Sequence, residues 1–152
     1  MNERNIKHID EILKNNTINY RLVNLENDPD INYLISVNSA DVINNVEVIN
    51  MLLYFTDNNE MGIYVFNVYK LNDGDSTLKL LNAINNANSL APYGKFLFDE
   101  KRGVVYYYSK LKLENIMIEL KDSIFNDYIH EALVAIMSLY QEIGKIRENE
   151  EL

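Results

Sequence analysis

Residues Val46–Phe55 read VEVINMLLYF, and after the polar link Thr56–Glu60 the chain continues as MGIYVFNVY over Met61–Tyr69. Both segments are rich in β-branched and aromatic residues, and the link is typical of a hairpin loop. In the first segment one face carries Ile49, Met51, Leu53 and Phe55, and the other carries Val48, Leu52 and Tyr54. Both faces are apolar, which a strand with one side in water does not need.

Further strands are predicted on either side of this hairpin, at 20–23, 31–37, 95–98 and 104–108. The turn residues Asn27-Asp28-Pro29-Asp30 precede the second of them. The last two are joined by Asp99–Gly103, where Gly103 can adopt the left-handed backbone. Residues 111–119, LKLENIMIE, fit either an extension of the sheet or a helical turn, and the sequence leaves both open.

Three segments have helical periodicity: 3–15, 76–87 and 122–146. Asn2 is the predicted cap of the first helix. The second is expected to bury Leu78, Leu81 and Ile84 and to end at Asn85 and Asn88. The third has a wide apolar stripe, and the charged tail 147–152 is expected to fray. The sequence therefore predicts one α+β domain over 1–152, an antiparallel sheet with N-terminal, central and long C-terminal helices packed on it.

The composition narrows the choice of partner. The chain has 152 residues, a net charge of -9 and no cysteine. A chain this acidic repels phosphate backbones and anionic membranes, so we expect neither nucleic acid nor membrane as partner, and basic partners are the electrostatically natural ones. The absence of cysteine excludes thiolate metal sites and is compatible with the cytoplasm.

No catalytic pattern is recognisable. His8 and His130 each lie on a predicted helix without a second histidine at metal-ligand spacing, and the isolated glycines cannot build a phosphate loop. The acidic clusters at 26–30 and 73–75 occupy turns, where Asp is favoured for local hydrogen bonding. We therefore expect no enzyme activity, no cofactor and no metal site.

Tyrosines supply the candidate binding surface. Tyr106 and Tyr108 share one face of their strand while Tyr107 points to the other. Together with Tyr54 and Tyr64 on the hairpin, they predict either a half-buried sheet or a protein-binding face, because tyrosine gives a large contact area at low entropic cost. Since three helices can cover one face of the sheet, the other face needs a dimer mate or a client.

Three short segments of the sequence resemble a known protein family. Residues 80–88 (LLNAINNAN), 94–99 (GKFLFD) and 103–106 (GVVY) resemble the YbjN-like, or sensory transduction regulator, group of the type III secretion chaperone-like superfamily. The resemblance implies that fold, a non-enzymatic and often dimeric protein, and binding of client segments. In this pattern Asn85 and Asn88 are expected to bond loop amides at the helix end.

The leading hypothesis is a chaperone-like or regulatory protein-binding module, a homodimer, which engages clients through the sheet face of Tyr54, Tyr64, Tyr106 and Tyr108 and through the C-terminal helix. An acidic inhibitor that mimics nucleic acid is the alternative. A hydrolase using turn carboxylates and a metal is the third hypothesis.

Overall fold

The predicted hairpin lies at the centre of a six-stranded antiparallel sheet of strand order β1-β2-β3-β4-β6-β5. The structure is a computed structural model that describes residues 3–23 and 28–150, with side chains placed up to 147. The predicted cap at Asn2 lies outside this part. The strands are β1 (Asn19–Val23), β2 (Ile31–Asn38), β3 (Val48–Phe55), β4 (Glu60–Lys70), β5 (Gly94–Asp99) and β6 (Val104–Lys112).

The helices are α1 (Glu3–Asn15), α2 (Thr77–Leu90), α3 (Ile116–Glu119) and α4 (Asp122–Glu150). The predicted fold class, an α+β domain with N-terminal, central and long C-terminal helices on an antiparallel sheet, is confirmed. Segment 111–119 combines both interpretations, since β6 runs to Lys112 and α3 begins at Ile116. Asn115 caps α3 by accepting a hydrogen bond from the Met117 amide at 3.0 Å.

The helices pack on one face of the sheet, which we call the helix-covered face. Tyr33 donates a hydrogen bond to Asp10 on α1 at 3.1 Å, and Tyr140 on α4 donates to the Val68 carbonyl at 2.8 Å. The sheet side chains buried there include Tyr33, Ile35, Met51, Leu53, Phe55, Met61, Ile63, Val65, Phe96, Val105 and Tyr107. Burial of this face against the helices supplies the main stabilising term of the fold.

The buried side of α2 differs from the prediction. Ile84 is buried as expected, but Leu78 and Leu81 are exposed, and the helix continues beyond Asn88 to Leu90. The buried residues are instead Leu80, Ala83, Ile84 and Ala87. Ala83 and Ala87 are small, so they let α2 approach α4 closely, and this contact decides which side of α2 faces inward.

Asn88 joins α2 to the edge of the sheet. Its side chain donates to the Phe96 carbonyl at 3.1 Å and accepts from the Phe96 amide at 2.6 Å. Phe96 lies on β5, the outer strand, so the side-chain amide takes the place of a missing neighbouring strand and protects this edge. The expectation that Asn88 bonds amides near the helix end is confirmed, whereas Asn85 is exposed and makes no such bond among the described residues.

Helix α4 extends beyond its predicted end at Ile146 to Glu150. Arg147, assigned by the sequence to a frayed tail, donates through Nη2 to the Tyr69 hydroxyl at 2.8 Å. Its guanidinium also lies 5.7 Å from the centre of the Tyr69 ring. These contacts hold the last described turns of α4 against β4, while 151–152 lie outside the described residues.

Candidate functional site

The sheet face opposite the helices carries a cluster of aromatic side chains, which we call the aromatic face. It consists of Tyr54 on β3, Tyr64 and Phe66 on β4, and Tyr106 and Tyr108 on β6. Strand alternation places them there, because Tyr107 and Val105 between them are buried on the helix-covered face. All four tyrosines predicted from the sequence therefore lie on the same face.

Tyr64 is at the centre of the cluster. Its ring lies 5.6 Å from that of Tyr54, 5.7 Å from that of Phe66 and 4.8 Å from that of Tyr108, measured between centroids. These separations are within the range of favourable aromatic pairs. Tyr106 lies two residues from Tyr108 and opposite Leu97 on β5, and among the described residues its ring has no aromatic contact. The structure thus brings three of the four predicted tyrosines into direct contact.

Phe66 belongs to the same cluster, and the sequence analysis missed it. Its side chain is 59% exposed, the largest exposed fraction among the aromatic residues of the cluster. The available signal was its position two residues after Tyr64, which places both on one face of β4. Directly after it, Asn67 has a positive φ of 55° and the register of β4 against β6 shifts. The resulting bulge ends the regular alternation beyond Phe66.

Tyr54 has a structural role within the face. It is directly opposite Gly62 in the β3–β4 register, and its ring covers the glycine, so the side chain is only 9% exposed. Burial, followed by the hydrogen bond with Tyr108, raises the pKa of Tyr54. Burial also raises the pKa of Tyr64. Both hydroxyls therefore stay protonated at physiological pH, and the hydroxyl of Tyr54 is already engaged with Tyr108.

Exposed aliphatic residues surround the aromatic cluster. Leu34 on β2, Val48 on β3 and Leu97 on β5 all lie on the same face and are exposed. No helix packs against this face within the described residues. The result is an apolar, partly aromatic surface of the kind that marks interaction sites in soluble proteins.

A cleft adjoins the aromatic face, because β3 and β4 pair over only part of their length. Pairing covers Leu52–Phe55 and Met61–Tyr64, and the strands separate beyond it. The cavity between them has a volume of ≈ 390 Å³. Leu34, Leu52 and Phe66 line its outer end, and Ile136 and Tyr140 on α4 line its inner end. Apolar side chains of a bound segment can therefore enter the sheet next to Phe66.

The charge of the aromatic face differs from that of the whole chain. Register places five basic residues on this face, but the ammonium group of Lys95 donates to the Asn88 carbonyl on α2 at 3.0 Å. The four that remain are Arg21, Lys70, Lys110 and Lys112, against the two acidic side chains Glu60 and Asp99. Lys110 forms an ion pair of 2.5 Å with Glu60, and this bond raises the pKa of Lys110. Among the side chains that the strands place on this face, basic ones thus outnumber acidic ones, although the chain as a whole has a net charge of -9.

Three of the other polar residues considered in the sequence analysis, His8, Asp75 and Asp28, form hydrogen bonds within the fold. His8 donates through Nε2 to the Leu120 carbonyl at 2.8 Å, which fixes α1 to the turn after α3. Asp75 accepts hydrogen bonds from the Tyr69 hydroxyl at 2.9 Å and the Asn72 amide at 3.0 Å, and these bonds lower its pKa. Asp28 accepts from the Asp30 amide at 2.9 Å in the predicted turn, while Glu26 lies outside the described residues.

The described residues include no group of three His, Cys, Asp or Glu side chains arranged to hold a metal ion. Within the same residues, no helix is both long and apolar enough to cross a membrane.

Neither a protein family, nor a curated protein, nor a solved structure matches this chain.

Proposed function

We propose that this chain is a non-enzymatic protein-binding module, chaperone-like or regulatory, that captures a segment of a partner protein on the aromatic face. The observation that carries the proposal is a sheet face left uncovered by the helices, on which the ring of Tyr64 contacts those of Phe66 and Tyr108. Aromatic residues of this kind dominate the binding energy of protein interfaces. The cytoplasm is the proposed compartment.

The charge of the face supports one kind of partner. Four basic side chains against two acidic ones favour a segment that is acidic as well as apolar, although the chain as a whole favours basic partners. The segment places its apolar side chains on Tyr64 and Phe66 and in the β3–β4 cleft, and its carboxylates near Arg21 and Lys112. The same charge argues against a nucleic-acid mimic, which needs carboxylates on its binding surface.

The proposal uses the sheet and leaves α4 out. The apolar stripe of α4 faces inward, where Phe125, Ile129 and Ile136 are buried against the sheet and α2. These side chains already form part of the core, so they are not free to bind a partner. In the proposal, α4 therefore supports the sheet and does not contact the bound segment.

A second copy of the chain is the competing occupant of the aromatic face. Two identical faces would bring the basic side chains of one copy opposite those of the other, and such like-charge contacts are unfavourable. The homodimer expected from the sequence is therefore the weaker proposal for this surface. Light scattering of the pure protein distinguishes the two, because a dimer through this face is lost in a Phe66→Ser variant.

Affinity capture with matched variants tests the proposed function. The purified chain is used as bait in lysate of the source cells at low and moderate salt, with mass spectrometry as readout. The variants are Phe66→Ser and the double variant Tyr106→Ser with Tyr108→Ser. Leu78→Ser is the control, because Leu78 is exposed on α2, away from the aromatic face. Circular dichroism verifies that each bait is folded.

We expect the chain and the Leu78→Ser control to retain the same acidic partner, and both variants of the aromatic face to lose it. Addition of moderate salt is expected to weaken capture without abolishing it, since apolar burial remains when charges are screened. Equal capture by the folded aromatic-face variants would show that the binding surface is elsewhere. Complete loss at moderate salt would favour a purely electrostatic interaction, as in the nucleic-acid-mimic hypothesis.

A further inference from the structure

A second surface feature lies on the other side of the sheet, where the C-terminal end of α2, the segment 91–93 and α4 enclose a cavity. Its volume is ≈ 290 Å³, close to the lower end of the roughly 300–1,000 Å³ typical of small-molecule sites. The walls are mainly apolar and include Ala87, Leu90, Pro92 and Val134. The polar groups are few: Glu131 and Ser138 on the wall, with the exposed His130 beside them.

Glu131 is the unusual member of this cavity. Its Oε2 atom is buried and accepts no hydrogen bond from any described residue. No ion pair joins Glu131 to a Lys, Arg or His in the same part of the chain. A carboxylate with one oxygen buried and without a donor costs free energy, and a cation bound where the group faces the cavity lowers this cost. The cavity therefore has one strong recognition element within an apolar enclosure.

The neighbouring groups agree with a cationic ligand. Ser138 donates its hydroxyl proton to the Val134 carbonyl at 3.0 Å, so its oxygen still has acceptor capacity towards the cavity. A second cavity of ≈ 330 Å³, lined by Tyr93, Ile124, Asp127 and Tyr128, shares the side chains of His130 and Glu131 with the first. Glu131 thus lines both cavities. In the first cavity, a single carboxylate among mainly apolar walls lacks the additional oxygen ligands that a metal ion requires.

We propose that the cavity around Glu131 binds a small organic ammonium ion, with the charged nitrogen at the Glu131 carboxylate and an apolar body between α2 and α4. A primary ammonium group has three N–H donors, which suit the Glu131 carboxylate and the Ser138 oxygen. The apolar body contacts Leu90, Pro92 and Val134. This inference is independent of the proposed protein-binding role, since the two surfaces lie on opposite sides of the sheet.

Two-dimensional NMR titration of the ¹⁵N-labelled chain tests the site, with 2-phenylethylamine as probe and 2-phenylethanol as its neutral counterpart. We expect the amine to shift amides of 87–92 and 130–138 at millimolar concentration. The alcohol is expected to bind about tenfold more weakly or worse, because it lacks the charge-assisted hydrogen bond to the carboxylate. Glu131→Gln is expected to abolish the difference between the two probes.

Glu142→Gln is the matched control. Glu142 lies on the same helix, but its carboxylate accepts a hydrogen bond from Lys145 at 3.1 Å, away from the cavity. This variant should bind the amine as the original chain does. The proposal is overturned if the amine causes no localised shifts, if amine and alcohol bind equally, or if folded Glu131→Gln still prefers the amine.

Discussion

At the scale of single residues, two glycines explain how tyrosine rings fit into the sheet. A Cβ atom added to Gly62 would lie 1.9 Å from Cζ of Tyr54, and one added to Gly94 would lie 2.1 Å from the hydroxyl oxygen of Tyr107. Both rings therefore lie flat across strand backbone that has no side chain. A glycine within a strand normally weakens it, and here the overlying ring replaces the missing side chain.

The contact between Gly62 and Tyr54 gives a stability prediction. We expect Gly62→Ala to lower the free energy of unfolding by about 1–3 kcal/mol, because the added methyl group displaces the Tyr54 ring and disturbs its stacking on Tyr64. Gly144→Ala is the control, since nothing lies within 4 Å of its added Cβ. There alanine should raise stability by about 0.5–1 kcal/mol through helix propensity. Urea unfolding of both variants measures the difference, and similar effects of both would contradict the assigned packing.

Part of the aromatic face was predictable at this scale. Alternation along β6 separates Tyr106 and Tyr108 from Tyr107, and this separation needs only the period of a strand. The exposure of Phe66 was not predictable in the same way, because it depends on the bulge at Asn67 and on the absence of a covering helix. The unpartnered oxygen of Glu131 also could not be predicted from the sequence, since its burial depends on how α4 packs in the folded chain.

At the scale of elements, the type and order of strands and helices followed from turn residues and periodicity, whereas the orientation of α2 and the C-terminal ends of α2 and α4 did not. Leucines at 78 and 81 suggested one buried stripe, and the structure buries Leu80 and Ala83 instead. On hydrophobicity alone, a leucine is expected to be buried in preference to an alanine. Close helix packing reverses that ranking, because the narrow space against α4 accepts a small side chain and excludes a large one.

The link between α2 and β5 gives a prediction at the same scale. We expect Asn88→Ala to destabilise the fold by about 1–3 kcal/mol, because the Phe96 amide and carbonyl both lose their partner at the edge of the sheet. Asn85→Ala, on the exposed side of the same helix, should change stability by less than about 0.5 kcal/mol. Urea unfolding gives both values. Hydrogen exchange should show faster exchange at the Phe96 amide in Asn88→Ala, and unchanged protection would contradict the edge role.

At the scale of the whole molecule, the charge of the aromatic face depends on how strands assemble. The alternation of β6 shows that Lys110 and Lys112 share a face with Tyr108. The position of Arg21 in the same surface depends on the strand order β1-β2-β3-β4-β6-β5, which brings distant segments together. Composition gives only the average charge of -9, from which basic partners are expected, and does not resolve how the charges are distributed over the surface. The charge of the surface that contacts a partner, rather than the net charge of the chain, decides which partner is favoured.

Several tyrosine hydroxyls join the helices to the sheet, and their ionisation is expected to make the fold less stable at alkaline pH. Burial is the main cause of a raised pKa in seven of the eleven tyrosines, namely Tyr33, Tyr54, Tyr64, Tyr69, Tyr107, Tyr128 and Tyr140. Several of these hydroxyls form bonds between helix and sheet, such as that from Tyr140 to the Val68 carbonyl. Their ionisation would place negative charge inside the contact between α4 and the sheet.

The direction of the pH effect follows from the raised pKa values. The folded chain holds these phenolic protons more tightly than the unfolded chain, whose tyrosines have a pKa of about 10. The stabilisation is complete below that pH and is lost as the pH rises towards the folded pKa values. We therefore expect the free energy of unfolding to fall steeply above about pH 10.

Alkaline titration of the intact chain, followed by phenolate absorbance and far-ultraviolet circular dichroism together, measures this effect. We expect the phenolate signal of the buried tyrosines to appear only as helical structure is lost, because ionisation requires the helices to separate from the sheet. Tyr140→Phe should make the alkaline loss of stability shallower, since one raised pKa is removed, while it costs about 0.5–1.5 kcal/mol at neutral pH through the lost hydrogen bond. Full ionisation with unchanged dichroism would show that these hydroxyls do not hold the two layers together.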